Sequence, residues 1–384
     1  MQIRNFFHCS AVAVIQASAL LALFSLASSP SALAGGGNWT ISSVGCDASQ
    51  QHTLHRDDDG TLWAGCGAGV SGFGIHRSVD GGLTWAEPTT NPAGIVETFR
   101  VHDIERGHDG ALYLAGTIST AGPQNRIIRL DTSTAQPYAA QVSLLGAPIA
   151  GLNDTIGYYA ELPNGAAMTA SQTGFTKLFR PDASVGNSAQ DWTRLDGIEP
   201  FTHLISFDGG FYASGSRNIV RPRIFLPPQS ETAQPWELVE VILDNSYDGE
   251  LWGIAVNDQR VVAVGIDQDE NFGKIYVSQG DPYDPANYIV HEFREDGRSW
   301  AHGVCMRGDR IAVVGRRLLQ GARVFISTDG GNSFSDVSPA GSAIITECVI
   351  APDGLLTVFG SGGFIGTWDG MLLQDKIFSD RFQM

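Results

Sequence analysis

The sequence predicts an all-β fold: a seven-bladed β-propeller of four-stranded antiparallel blades, closed by the N-terminal strand joining the last blade. Three observations carry this. Tight-turn signals recur at Asp59-Gly60, Asp109-Gly110, Asn164-Gly165, Asp208-Gly209, Asp258-Gln259, Asp309-Arg310 and Asp353-Gly354, at intervals of 44 to 55 residues. A period of that length, four strands to a unit, is the sequence sign of a propeller, because one blade cannot bury its faces alone. The composition agrees, with 46 Gly in 384 residues, only 17% charged residues, and few apolar runs at helical spacing.

Each turn sits in the same local grammar. An apolar strand precedes it and a small-residue, β-rich strand follows, as in Leu112-Tyr113-Leu114-Ala115-Gly116, Val261-Val262-Ala263-Val264-Gly265 and Ile311-Ala312-Val313-Val314-Gly315. A third strand is legible in Ile75-His76-Arg77-Ser78, Lys274-Ile275-Tyr276-Val277-Ser278 and Arg323-Val324-Phe325-Ile326-Ser327. The seventh unit runs out of chain after strands near Ile344–Ile350, Leu355–Phe359 and Phe364–Trp368, so its fourth strand is expected from Asn38–Ser42, with Trp39 packing into that blade. Joining both termini in one sheet removes an open edge.

One octapeptide occurs twice, as Ser78-Val79-Asp80-Gly81-Gly82-Leu83-Thr84-Trp85 and as Ser327-Thr328-Asp329-Gly330-Gly331-Asn332-Ser333-Phe334. The Asp accepts hydrogen bonds within its own turn, the glycines supply positive φ, and the aromatic re-enters a strand as packing. The pattern resembles the Asp-box, or BNR repeat, of sialidase-like and Ycf48-like propellers. The resemblance implies a structural role for Ser78, Asp80, Gly82 and Trp85, and for Ser327, Asp329, Gly331 and Phe334.

The chain divides into a signal peptide (1–34), the propeller (35–370) and a C-terminal tail (371–384). Arg4, the uncharged stretch Ala11–Leu26 and the small-residue signal Ala32-Leu33-Ala34 read as a cleavable leader, giving a secreted or periplasmic protein without membrane insertion after cleavage. Cys46, Cys66, Cys305 and Cys348 remain, an even count that fits two disulfides in an oxidising compartment. Three pairings are open to four cysteines, and the repeat register favours Cys46 with Cys66 and Cys305 with Cys348. A net charge of −17 disfavours nucleic acid and anionic lipid surfaces. No cysteine or histidine spacing matches a zinc site, so neither metal nor cofactor is expected, and the chain is expected to be a monomer.

Ligands of propellers gather where the axis-facing strands begin, on the face opposite the Asp-boxes in the sialidase family. The candidates there are His52, Arg100, His102, Asp103, Asp154, His203, Trp252, His302 and Glu347, a ring of imidazoles, carboxylates and one indole suited to a protein or glycan ligand. Sialidase chemistry requires three arginines on a carboxylate, one in a Phe-Arg-Ile-Pro motif, with a Tyr/Glu nucleophile pair. The nearest string here is Phe99-Arg100-Val101-His102, which lacks the Pro and follows the first box, so no catalytic residue is assigned. The leading reading is an exported, non-enzymatic binding or assembly protein, the role the Ycf48-like resemblance implies. The alternative is a sialidase-like glycoside hydrolase acting on extracellular carbohydrate, with carboxylates drawn from Asp103, Asp154 and Glu347.

Overall fold

The structure, a computed structural model, describes residues 37–46, 52–66, 74–86, 99–118, 124–130, 132, 142–145, 156–171, 178–181, 192–195, 201–216, 221–246, 248–293, 299–318, 321–341 and 343–370. The expected leader and tail lie outside the described residues. Ala34–Met384 forms one compact unit. No helix among the described residues is long and apolar enough to cross a membrane.

Twenty-seven strands are described, beginning with β1 (Trp39–Ser43). A three-stranded sheet follows, of β2 (His52–Arg56), β3 (Leu62–Cys66) and β4 (Ile75–Ser78). Five four-stranded sheets come next, each in chain order. They are β5 (Phe99–Arg106), β6 (Leu112–Ile118), β7 (Gln124–Leu130), β8 (Val142–Leu145); β9 (Ile156–Glu161), β10 (Ala167–Ser171), β11 (Leu178–Pro181), β12 (Trp192–Leu195); and β13 (Phe201–Phe207), β14 (Gly210–Ser216), β15 (Pro222–Leu226), β16 (Val239–Ile242). The other two are β17 (Gly249–Asn257), β18 (Arg260–Asp267), β19 (Phe272–Ser278), β20 (Tyr288–Phe293), and β21 (Ser299–Arg307), β22 (Arg310–Arg317), β23 (Gly321–Ser327), β24 (Ser335–Asp336). The last sheet joins β25 (Ile345–Ile350), β26 (Leu356–Gly360) and β27 (Phe364–Trp368) to β1, in the order β1-β27-β26-β25. All pairings are antiparallel, with Trp39 opposite Trp368 and Ser43 opposite Phe364 in the shared sheet.

The first strands touch one another in succession from β2 through β5, β9, β13, β17 and β21 to β25, and β25 touches β2. Burial follows from that arrangement. β18 and β19 are buried along nearly their whole length because sheets cover both their faces, whereas the outer strand β20 is largely exposed. The core is a set of seams between neighbouring sheets. Trp63 and Ile75 pack on Leu112, Leu114 and Ile128; Ile224 and Leu226 on Leu251 and Ile254; Val324 and Ile326 on Leu356, Val358 and Trp368.

The two octapeptides form nearly identical turns. Ser78 Oγ donates to Asp80 at 2.8 Å and accepts from the Gly82 N–H at 2.8 Å, while Asp80 accepts from the Thr84 N–H at 2.9 Å and its hydroxyl at 2.5 Å. Ser327, Asp329, Gly331 and Ser333 repeat these bonds at 2.7, 2.8, 3.0 and 2.6 Å. Gly82 and Gly331 hold φ of 93° and 87°, the left-handed region closed to most side chains. The hydrogen bonds from Thr84 hold the Asp80 carboxyl down to about 2. Trp85 packs beside Leu54, Phe359 and Ile365, and Phe334 beside Val277 and Ile311.

The first sheet departs from the four strands expected. Among the described residues the chain after its turn meets β4 at one bridge, Arg77 to Ala86, so three strands and a single contact are described where four strands were expected. Trp85 is held there by a bond from its own Nε1 to the Gly82 carbonyl at 3.0 Å, which fixes the ring at the turn. The cysteines meet in the pairs the repeat register favours. Cys46 is joined to Cys66, and Cys305 on β21 to Cys348 on β25, with Cα separations of 5.7 and 5.6 Å.

Candidate functional site

Six of the seven first strands slip register by one residue near their start. Val101 faces Gly116 and Asp103 faces Ala115, leaving His102 between them as a β-bulge. The same step leaves Gly157, Thr202, Trp252, His302 and Thr346 outside the ladder of their own sheets. The second strand makes the bulge possible. A Cβ on Gly116, Gly265 or Gly315 would collide with the carbonyl oxygen of Arg100, Glu250 or Trp300 on the strand beside it.

The bulges sort the expected residues into two levels. His102, Trp252 and His302 occupy the bulge itself, while Asp103, His203 and Glu347 occupy the next position. His203 is therefore not equivalent to His102 and His302, as the strand-start reading had placed it; its counterparts are the two carboxylates. At this second level the side chain reaches the following sheet. Asp103 Oδ2 accepts the Tyr159 N–H at 2.8 Å, and His203 Nδ1 accepts the Ile254 N–H at 3.1 Å. Thr202, in its bulge, donates to the Leu251 carbonyl and so adds a second tie between the same two sheets. His52 begins β2 opposite Cys66, in the one first strand without a slip, and Asp154 lies outside the described residues.

Burial suppresses the charge of the histidines and of two carboxyls at this face. Burial, and then the Arg100 charge, pushes His102 down to about 4; burial pushes His203 down to about 4. Burial and then Arg316 push His302 down to about 3. These rings are neutral near pH 7, and the bond from Ile254 leaves the His203 proton on Nε2. Burial and the neighbouring Glu105 raise Asp103 well above the carboxylate range, and burial with Asp103 raises Glu347 to about 8. Both carboxylates keep only partial access to water.

Residues the strand-start reading passed over complete the face. The His302 ring stacks on Trp252 at 4.8 Å and 12°, Trp300 meets Trp252 edge-on at 5.9 Å, and the Arg316 guanidinium lies 3.6 Å over the Trp300 ring. Trp252 donates to Glu250 at 3.0 Å. Several buried polar atoms here have no hydrogen-bond partner among the described residues: both ring nitrogens of His102, Nε2 of His302, Oγ1 of Thr346, Nε of Arg100 and Nε1 of Trp300. Buried donors and acceptors of this kind normally find partners.

Among the described residues, the group of three metal-ligating side chains closest together is Cys46, Cys66 and His76, within 4.8 Å, and its two cysteines are bonded to each other.

The sequence matches no protein-family model and no curated protein. Solved structures do match. YCF48 bound to a D1 peptide is 15% identical, covering 86% of this chain and 96% of that one at a TM-score of 0.59. A catalytically inactive virginiamycin B lyase from Staphylococcus aureus with quinupristin is 13% identical, over 86% and 99%, at 0.56. A chain of the mitotic checkpoint complex is 10% identical, over 95% and 98%, at 0.56. At these identities the likeness establishes the fold alone: the chain is an all-β β-propeller.

Proposed function

We propose that this chain is a non-enzymatic binding or assembly protein that receives a segment of a protein partner on the face where the first strands bulge. One observation carries the reading: buried polar atoms of the bulge residues His102, His302 and Thr346 have no hydrogen-bond partner among the described residues, and the His302 ring stacks on Trp252, itself a bulge residue. An extended peptide supplies both backbone donors and acceptors for such atoms and a side chain for the stack, with no charge required. Support also comes from propellers of the same fold whose partners are proteins, YCF48 with its D1 peptide among them. A glycan is the second ligand class for this face, through the same aromatic platform.

In this reading the seven sheets are seven blades of one ring, the β1–β27 pairing closes it, and the two Ser-x-Asp-Gly-Gly turns are Asp-boxes on the opposite face. The ring is a secreted or periplasmic monomer once its leader is removed. Two paired sets of cysteines fit such a compartment.

Selection of displayed random peptides against the full chain, with a glycan array beside it, tests this. Peptides that lose at least about tenfold in affinity for W252A and H302A are expected, since truncating a central aromatic costs on the order of 2 kcal/mol. Failure to obtain any ligand sensitive to those changes would sink the reading. Asp103 and Glu347 give the glycoside hydrolase alternative its one foothold, two carboxyls raised by burial, the second also by the charge of the first. Turnover of a fluorogenic glycoside that vanishes in D103N or E347Q would favour it.

A further inference from the structure

A cavity lies away from the bulged face, between the sheet of β2–β4 and that of β5–β8. It occupies about 550 Å³, the size of a small-molecule site, and is lined by His55, Arg56, Asp57, Trp63, Arg77 and Arg106 among others. Arg106 ends β5 four residues beyond His102, about 13 Å along the strand, so the cavity is separate from the face described above.

Its charges divide into those already used and those not. Asp57 accepts from Arg106 Nε at 2.9 Å and also from its Nη2, from Trp63 Nε1 at 2.7 Å and from His55 Nε2 at 3.2 Å. Arg106 spends its remaining nitrogen, Nη1, on the Gly110 carbonyl and the Thr132 hydroxyl, at 2.6 and 2.9 Å. His55 also faces Glu105 at 3.9 Å. These groups hold the two sheets together and have little left for a ligand.

Arg56 and Arg77 differ. Nε and Nη1 of Arg56 and Nε of Arg77 are buried, and none has a hydrogen-bond partner among the described residues. Arg77 lies with its guanidinium carbon 5.6 Å from the Trp63 ring centre, an arrangement that leaves the guanidinium edge free to donate. The remaining acids in the wall are Asp58 and Asp59, both exposed; Asp59 is turned to the Thr61 N–H at 2.8 Å. Water and salt screen them more than they screen the buried guanidinium nitrogens.

We infer that this cavity binds a small organic oxoanion, a carboxylate, sulfate ester or phosphate ester on a body of monosaccharide size, gripped by Arg56 and Arg77 beside Trp63. The oxoanion supplies in-plane acceptors that guanidinium groups recognise, and a cavity of this volume exceeds what an inorganic ion fills. The local arginines act against the net charge of −17 at short range, where the long-range field is screened.

Calorimetric titration of the full chain with glucuronate, glucose 6-sulfate, glucose 6-phosphate and neutral glucose tests the inference. At least one acidic sugar should bind at least about tenfold more tightly than glucose, and R56Q and R77Q should each weaken it about tenfold, the loss expected for a charge-assisted hydrogen bond. The tightest arm identifies the kind of oxoanion. W252A, on the other face, should leave this affinity unchanged, which separates this site from the peptide-binding reading. Thermal unfolding of each variant checks its fold, and R77Q alone carries the test if R56Q does not fold. Binding of glucose equal to its acidic derivatives, no binding in any arm, or affinity within twofold of wild type in the folded variants would overturn it.

Discussion

His203 accepts the backbone N–H of Ile254 through Nδ1 at 3.1 Å, a bond from one sheet to the next that repeats, with different chemistry, what Asp103 does for Tyr159 at 2.8 Å. In both cases the residue just past a bulge takes an N–H from the first strand of the following sheet. The bulge therefore has two effects: it takes one residue out of its own ladder and, at these two sites, turns the next into a tie between sheets.

Replacing His203 with Ala should leave the Ile254 N–H without its acceptor and cost about 1–3 kcal/mol in chemical denaturation. Loss below about 0.5 kcal/mol would show that the bond is not maintained in solution.

Stability should depend on pH with two opposing slopes. His102, His203 and His302 lie at about 4, 4 and 3 in the folded chain against 6.5 for an ordinary histidine, so the unfolded chain binds more protons and stability falls as pH drops from about 6.5 toward 4. Glu347 works the other way. Its folded value of about 8 exceeds 4.5, so its contribution is full below about 4.5 and is lost as pH rises through 8. E347Q should remove part of the alkaline fall, raising Tm at pH 8 by about 2 °C or more relative to wild type when both are referenced to pH 5. An identical Tm profile in E347Q would contradict the burial of that carboxyl.

The Cys305–Cys348 bond links two neighbouring first strands 43 residues apart in sequence. C305A/C348A should lose about 2–4 kcal/mol in chemical denaturation relative to the oxidised wild type. Equal stability of the oxidised wild type and the double variant would argue that the bond does not form.

Asp329 takes three hydrogen bonds from Ser327 and Ser333 in an exposed turn. D329A should cost about 1–2 kcal/mol without altering ligand affinity at the bulged face, since the turn is a fastening and not a contact surface. A change in peptide binding with unchanged stability would reverse that assignment.

The sequence made the strand-turn-strand units, the fastened turns and the cysteine partners legible, because each is set by local chemistry: Asp-Gly turns, a Ser-x-Asp-Gly-Gly string, two cysteines at matching heights. The bulges were not legible from the first strands, where His102, His203 and His302 look alike. Their difference is decided across the sheet, where Gly116, Gly265 and Gly315 give room for a displaced carbonyl. Those glycines were visible at the ends of the second strands and were the available signal. The Trp300–Arg316 stack was missed for a related reason, since each residue reads alone as an ordinary strand position. The arginine cavity depends on which guanidinium groups are already spent, and that is set by contacts between sheets.

The Cys46–Cys66 bond has a consequence for the chain's beginning. Cys46 follows β1 by three residues and is anchored to the end of β3. Were β1 to peel away from β27, it would stay on a leash a few residues long, and recapture would compete against neighbouring molecules at an effective concentration on the order of millimolar. A fraying end is thereby kept from becoming an invitation to exchange strands with another copy.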